Sequence, residues 1–452
     1  MGLSNIEERS TGYNLLKLWA KFWHNIIYYR KFIVLGKDNI PLNKPLMFTP
    51  NHQNALMDAL ALVFSINIQP VFIARSDIFK KPTIARILYF LKILPIYRVK
   101  DGYDSIKKSQ EIINKTADII TKGCALVILP EGNHSDRRRL RPLKKGFARM
   151  AFQAEELNNF ELDLQIVPVG IDYDDYEKVR GSLIVKFGEP VQVKDFVELY
   201  QESPAIALNS IKDKLSEHLR PLIVDIESEK YYELYNELRY IYRSRMTKLL
   251  HLDAKTEKNR VYIDQELIKQ VSNFEKESLE GLDDFQNTIV RFSALRDKFA
   301  FTNNIIEKNG TGVISLVTGP VMLLATIPIF IYGVINNFIA SWLPGRVSKM
   351  IEDPQFKSSI NFVISMISFP VLYIIQSIVV LIVTNDWKIS LAYAVCLPVS
   401  GIFAWKWLKI FRCVKINWVY KIAELSKNKD FAEMQKLYDE IISKASLIIS
   451  ER

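Results

Sequence analysis

The chain has 452 residues, 49% apolar and 24% charged, which excludes global disorder and leaves ample material for a large core. Sixty Lys and Arg against 50 Asp and Glu give a net charge of +10, a balance that suits a membrane surface, nucleic acid or a phosphorylated substrate. Three cysteines (Cys124, Cys396, Cys413) lie far apart without CxxC spacing, which argues against a zinc ribbon or a disulfide framework.

The start, MGLSNIEERS, is polar and acidic and no apolar run follows a basic stretch, so no cleavable signal is expected and this segment should stay in the cytoplasm. Residues 10–30 read as an amphipathic helix. Leu15, Leu16, Trp19, Phe22, Trp23, Ile26 and Ile27 recur at three- and four-residue spacing, flanked by Lys17, Lys21 and Arg30. Such a helix either lies in a membrane interface or packs on the next domain. From 31 to 220, short apolar runs alternate with helical stretches. Strands are expected at 32–36, 46–50, 71–75, 95–99, 125–130, 165–171 and 182–188, and helices near 53–66, 80–92, 103–122 and 143–158. The alternation predicts an α/β layer architecture. Residues 221–308 read as a charged helical region with a solvated face.

No charged residue occurs over 309–345, 358–385 or 389–405, so 309–410 is read as membrane-embedded helices. Three simple crossings would put Arg346, Lys349 and Lys357, and later Lys406, Lys409, Arg412 and Lys415, on the far side. That opposes the positive-inside tendency and favours an even number of crossings. Gly319-Pro320, Pro328 and Pro344 fit a re-entrant or broken hairpin over 309–345; a second hairpin would turn at Asn385-Asp386. Residues 411–452 are read as a basic cytoplasmic tail.

Two clusters carry the chemistry. In FTPNHQNALMDAL (48–60) an apolar strand ends at Pro50, His52 follows, and Asp58 lies in the helical stretch behind it. A carboxylate that orients an imidazole and stabilises its protonated form suits general-base work; the alternative is a satisfied turn histidine beside a capping Asn51. In ILPEGNHSDRRRLRPLKKG (128–146), Glu131-Gly132 follows a strand, and Arg137, Arg138, Arg139, Arg141, Lys144 and Lys145 put six cations within nine residues. That density can clamp a phosphate, while Arg138, Arg139 and Arg141 read equally as contacts with anionic lipid. Lys144-Lys145-Gly146 opens the next helix, where backbone N–H groups favour an anion. Arg75 and Arg98 close two further strands, and IVPVGIDY (166–173) is a strand containing Pro168.

Taken in chain order, these two clusters, the Arg75–Arg98 segment and the Pro168 strand resemble the glycerolipid acyltransferase family over about residues 30–195. His52 and Asp58 match its histidine–aspartate block, Arg75 through Arg98 its second, Pro130-Glu131-Gly132 and Lys145-Gly146 its third, and Val167-Pro168-Val169 its fourth. Asp136-Arg137, the segment 226–246 and the C-terminal spans are most similar to the branch that acylates glycerol-3-phosphate or dihydroxyacetone phosphate.

The resemblance implies an α/β fold: a glycerolipid-acyltransferase-like mixed sheet flanked by helices, beside the added helical region and the C-terminal membrane-embedded helices. It implies transfer of a fatty acyl group from acyl-CoA or acyl carrier protein to glycerol-3-phosphate in phospholipid biosynthesis, on the cytoplasmic face of a phospholipid membrane. His52 would take the hydroxyl proton and Asp58 would fix its tautomer. Arg75, Arg98, Arg137 and Lys145 would bind the phosphate, and Glu131, next to Gly132, would orient an arginine or the glycerol hydroxyls. No cofactor, metal or nucleic acid is expected. Two alternatives stand beside this: 1-acylglycerol-3-phosphate (lysophosphatidate) as the acceptor, and a catalytically silent lipid-binding or scaffold protein. The last rests on one departure. Five residues, where the family usually has four, separate His52 from Asp58. On a continuous helix six steps of ~100° turn the two apart, so they meet only if His52 lies in the turn before the helix.

Overall fold

The computed structural model describes residues 6–8, 10–97, 104–253, 256–277, 281–310 and 313–450. They divide into two units, Met1–Asp225 with Ser348–Phe362, and Ile226–Val347 with Val363–Arg452.

In the first unit, β1 (Lys31–Leu35), β2 (Leu46–Pro50), β3 (Val71–Arg75), β4 (Ile93–Ile96), β5 (Leu126–Val127), β6 (Gln165–Tyr173) and β7 (Ser182–Phe187) form one mixed sheet in the order β1-β7-β6-β2-β5-β3-β4; β8 (Val191–Gln192) pairs with β6. β2 and β6 are buried along their whole length, which is why LMFTP and QIVPVGI read as unbroken apolar runs. Alternate residues divide between the two faces. Met47, Val71, Leu94, Leu126 and Ile166 share one core with Ile120, Phe147, Phe152 and Leu215. Phe48 lies on the other face, edge-on to Phe187 at 5.9 Å. The helices of this unit are α1 (Thr11–Phe22), α2 (Ala55–Ser65), α3 (Pro82–Phe90), α4 (Asp104–Thr121), α5 (Gly146–Glu156), α6 (Val197–Glu202) and α7 (Pro204–Leu219).

β2 pairs in parallel with β5 and β6, and β3 with β4 and β5. The carboxyl ends of β2 to β6 therefore meet at one edge, the place where open α/β sheets bind ligands. β4 begins at Ile93, not Pro95, because an outermost strand tolerates a proline. β5 keeps only two ladder residues before the chain leaves toward Pro130. α1 buries Tyr13 and Ala20 and leaves Leu15, Leu18, Trp19 and Phe22 exposed, then widens into a π-type turn over Trp23–Tyr28. One face thus packs on the domain, with Tyr13 against Phe90, and the other keeps an apolar stripe.

In the second unit, α8 (Tyr232–Leu249), α9 (Arg260–Glu277), α10 (Leu282–Lys298) and α16 (Lys429–Ser450) bury Leu238, Leu267, Ile289, Phe292, Met434 and Ile441 in one bundle. The stretch 411–452 is therefore no tail. Its charges hide an amphipathic repeat, Phe431, Met434, Tyr438, Ile441 and Ala445, all buried, and Glu433 takes a bidentate Arg291 at 2.7 and 2.9 Å. Between these helices come α11 (Asn303–Glu307), α12 (Val313–Ala325), α13 (Ile327–Ser348), α14 (Pro354–Thr384) and α15 (Trp387–Leu425).

α13, α14 and α15 are long and apolar enough to cross a membrane. They expose Ile335, Ile339, Ile378, Ile382, Val399 and Ile402, more contiguous apolar surface than water tolerates. The described residues of 309–345 do not form a re-entrant hairpin. Trp418 donates to Leu316 O (3.1 Å), Trp407 to Leu323 O (3.3 Å) and Asn337 to Leu397 O (3.3 Å). α12 and α13 therefore run the same way, antiparallel along α15. α14 and α15 do turn at Asn385-Asp386, with Asp386 capping Lys388 N at 2.7 Å. Three candidate spans contrast with the even number that charge counting favours, because length nominates helices whereas charge bias assigns sides. At 39 residues α15 is ~58 Å long, so a ~30 Å crossing leaves room for Lys406, Lys409, Arg412 and Lys415 beyond hydrocarbon.

Candidate active site

β2 ends at Pro50, and the Asn51 side chain extends its pairing. Nδ2 donates to Ile171 O (3.1 Å) and Oδ1 accepts from Ile171 N (2.7 Å). Asn51 thus binds the chain to β6 and does not cap the next helix. His52 and Gln53 lie in the turn, and α2 starts only at Ala55, which takes a φ of +40°. A non-glycine residue there costs about 1 kcal/mol.

Asp58, in the first turn of α2, is wholly buried. Its Oδ2 accepts from His52 Nδ1 (2.9 Å), Gln53 N (2.8 Å) and Asn54 N (2.8 Å), and its Oδ1 from Tyr173 Oη (2.7 Å). The five-residue separation therefore does not part the pair. A carboxylate only accepts, so the His52 proton sits on Nδ1 and the lone pair on Nε2. Burial, reinforced by the Asp58 charge, holds the Tyr173 phenol well above its ordinary range, so it remains a donor.

Glu131 follows β5 and is also buried. Its Oε1 accepts from His52 N (2.8 Å) and its Oε2 from Arg141 N (3.3 Å). Burial pushes its carboxyl up to about 7 against the pull of those two N–H groups, and the Asp58 charge pushes the same way. Glu131 was expected to orient an arginine or the glycerol hydroxyls; among its contacts here is the main-chain N–H of Arg141. A buried carboxyl needs donors, and the backbone supplies them at fixed positions. Gly132 takes a φ of +70°, and a Cβ there would stand 3.3 Å from Lys144 Cγ. That turn brings Lys144 N to Pro130 O at 2.7 Å and closes the basic loop. Within it Arg141 Nη1 donates to His134 O (3.0 Å), and the His134 ring stands 5.3 Å from the His52 ring at 75°.

Arg75 ends β3 and binds Asp77 through Nε (3.3 Å) and Nη2 (2.5 Å). β3 is two strands from β2, or about 10 Å along the sheet. Arg137 is exposed, with its N–H on Ser135 Oγ at 3.3 Å, and Lys145 immediately precedes α5. Arg98 lies outside the described residues. Direct contacts thus join His52, Asp58 and Glu131, while Arg75 and Lys145 stand at other points of the same edge. Arg138 is not a lipid contact. It is buried, with Nη1 on Asp172 Oδ2 (2.7 Å) and Nη2 on Tyr173 O (2.5 Å) and Asp174 O (3.1 Å), and it ties the basic loop to the end of β6. Tyr173 and His134 were passed over in the sequence, although both lie within its motifs. For Tyr173 the available signal was a polar ring at the carboxyl end of a buried strand; His134 lies in the loop after β5 and carried no such signal.

A family model described as Acyltransferase matches residues 31–172. The chain is 30% identical over 136 residues to glycerol-3-phosphate O-acyltransferase 1 of Saccharomyces cerevisiae, covering 29% of this chain and 18% of that protein. It is 23% identical over 371 residues to glycerol-3-phosphate O-acyltransferase 2 of the same yeast, covering 78% and 49%. The chain thus spans about half the length of the second relative and under a fifth of the first. Among solved structures, the 1-acyl-sn-glycerophosphate acyltransferase of Thermotoga maritima superposes with a TM-score of 0.33 at 18% identity, over 45% of this chain and 78% of that one.

Proposed function

From the premise that residues 31–172 are an acyltransferase domain of the glycerolipid family, resembling its glycerol-3-phosphate branch, we propose that the protein moves a fatty acyl group from acyl-CoA or acyl carrier protein to a hydroxyl of glycerol-3-phosphate. The observation that carries this reading is the 2.9 Å contact between His52 Nδ1 and Asp58 at the carboxyl edge of the sheet. With Nδ1 committed, Nε2 takes the hydroxyl proton as the acceptor oxygen attacks the thioester carbonyl. The tetrahedral adduct then expels the thiolate, which recovers the proton from the imidazolium. Asp58 stabilises that imidazolium. The thioester is already activated, so the acyl group passes directly without a covalent enzyme intermediate.

In this reading Arg75 exchanges Asp77 for the acceptor phosphate, and Arg98, Arg137 and Lys145 add charge, with the N-terminus of α5 contributing backbone N–H groups. The three apolar helices and the exposed stripe of α1 support a site held at a phospholipid membrane, where acyl chains and lipid products partition. The cytoplasmic face is the proposed side.

The test is acyl transfer by the purified protein in liposomes. Glycerol-3-phosphate, dihydroxyacetone phosphate and 1-acylglycerol-3-phosphate are offered separately, with palmitoyl-CoA or acyl carrier protein as donor, beside His52→Ala. Product from glycerol-3-phosphate that disappears in the variant supports the reading. Product from 1-acylglycerol-3-phosphate alone moves the acceptor. Folded protein that turns over none of them overturns the enzyme in favour of a lipid-binding scaffold. Arg75→Ala should raise KM for glycerol-3-phosphate selectively, and an unchanged KM removes it from the phosphate site.

A further inference from the structure

The segment Ser348–Phe362 belongs to the first unit although it lies far beyond residues 31–172. At its centre, Asp353 Oδ2 meets His134 Nε2 at 3.1 Å, while Oδ1 accepts from Gln355 N at 3.0 Å and so caps the start of α14. Phe356, one turn on, stands edge-to-face with the His134 ring at 5.0 Å and 86°. The segment is tied down further along by Tyr28, whose hydroxyl lies 3.0 Å from Ser358 O and 2.9 Å from Ser358 Oγ and whose ring meets Phe362 at 5.4 Å. His134 is therefore wedged between Phe356 and His52.

We propose that Asp353 and His134 form a second carboxylate–imidazole couple that positions His52, so that the segment leading into α14 completes the acyl-transfer centre. This rests on the reading of His52 as the base. The bond from Nδ1 to Asp58 fixes one ring nitrogen of His52 but leaves the ring able to tilt about it, which swings Nε2. The His134 ring blocks that tilt on one side. Arg141 holds only the main-chain carbonyl of His134, so its ring direction is set by Asp353 and Phe356. Asp353 suits both duties because a carboxylate offers two acceptors, one for the helix start and one for the imidazole. Burial works against its ionisation, yet the Gln355 N–H and His134 together hold its carboxyl below the ordinary range. Among the described residues, the charged and titratable groups bonded to the two histidines include Asp353, Arg141, Asp58 and Glu131.

Asp353→Asn tests the couple. The amide keeps an oxygen for Gln355 N and turns an N–H toward His134 Nε2, so the cap survives while the carboxylate charge is removed and Nε2 has no acceptor to donate to. The expected result is a fall in kcat of about tenfold or more, with KM for glycerol-3-phosphate within about twofold and a displaced pH–rate profile. Asp353→Glu should recover part of the rate. In a His134→Ala background Asp353→Asn should have no further effect, since the two act as one unit. A second readout needs no turnover: the rate at which diethyl pyrocarbonate modifies His52, followed by mass spectrometry, should change several-fold in Asp353→Asn. Unchanged kcat and unchanged His52 reactivity overturn the proposal. If the wild type turns over no acceptor, the functional reading fails, and the reactivity of His52 decides the positioning role by itself. Should Asp353→Asn not fold, His134→Gln leaves the helix cap intact and carries the same two readouts.

Discussion

An Asp58→Asn substitution keeps the shape of a wholly buried side chain and removes its charge. Oδ2 accepts from three N–H donors, so the amide oxygen must take that place. The amide nitrogen then faces Tyr173, whose hydroxyl can turn to accept. The network survives, and the cost to folding is about 1 kcal/mol. The larger loss falls on the imidazolium. A unit charge ~4 Å from the ring is worth ~4 kcal/mol at an effective dielectric constant of about 20, and the amide dipole restores part of that. The remaining ~2–4 kcal/mol corresponds to a kcat lower by roughly 30- to 1000-fold. The assay is palmitoyl transfer to glycerol-3-phosphate in liposomes, with a thermal midpoint on the same preparation. A kcat within about threefold of wild type in folded Asp58→Asn would refute the argument that this carboxylate stabilises a protonated His52. Asp58→Ala makes the contrast: Gln53 N, Asn54 N and Tyr173 Oη lose their acceptor at about 1–3 kcal/mol each, so the thermal midpoint itself should fall.

Other perturbations follow from the same contacts. Because burial raises the Glu131 carboxyl to about 7, folding favours its protonated form, and its stabilising share, full at low pH, is lost as pH rises through 7. Glu131→Gln should therefore gain on wild type by roughly 2–3 kcal/mol between about pH 5 and pH 8, read as a difference of thermal midpoints; a difference that does not vary with pH contradicts the shift. Ala55→Val places a β-branched residue at a φ of +40° and should cost about 2 kcal/mol, whereas Ala55→Gly should not lower the midpoint. Equal effects of the two would show that Ala55 stores no backbone strain. Arg138→Ala leaves Asp172 charged in a buried site and should cost about 3–5 kcal/mol in chemical denaturation; a loss under about 1 kcal/mol would mean that the loop is held otherwise.

β2 and β3 were legible to the residue, because strands covered on both faces are unbroken apolar runs bounded by turn residues. α2, α3, α4 and α5 fell within two or three residues of their expected ends, as 3.6-residue periodicity allows. α16 was missed because its charges, which pair with α10, look like a solvated tail until the partner helix is known. The course of 309–345 was misread for a related reason. Prolines mark where a helix can break, but only packing along α15 shows that the chain does not reverse there.

The amino-acid sequence by itself determined the α/β alternation and the apolar helices and nominated His52, Asp58 and Glu131, because periodicity and residue type report local burial and local chemistry. Tertiary structure alone decided that His52 lies in the turn before α2 and still meets Asp58, that Glu131 holds two backbone N–H groups, and that Tyr173, His134 and Asp353 lie beside them. Those contacts link residues 79, 115 and 219 positions apart. The first two exist because β6, β2 and β5 are neighbours running in parallel, which brings the chain ends that follow them to one edge. No local pattern encodes that order. It follows from which strands bury one another and from the handedness of the connections between them.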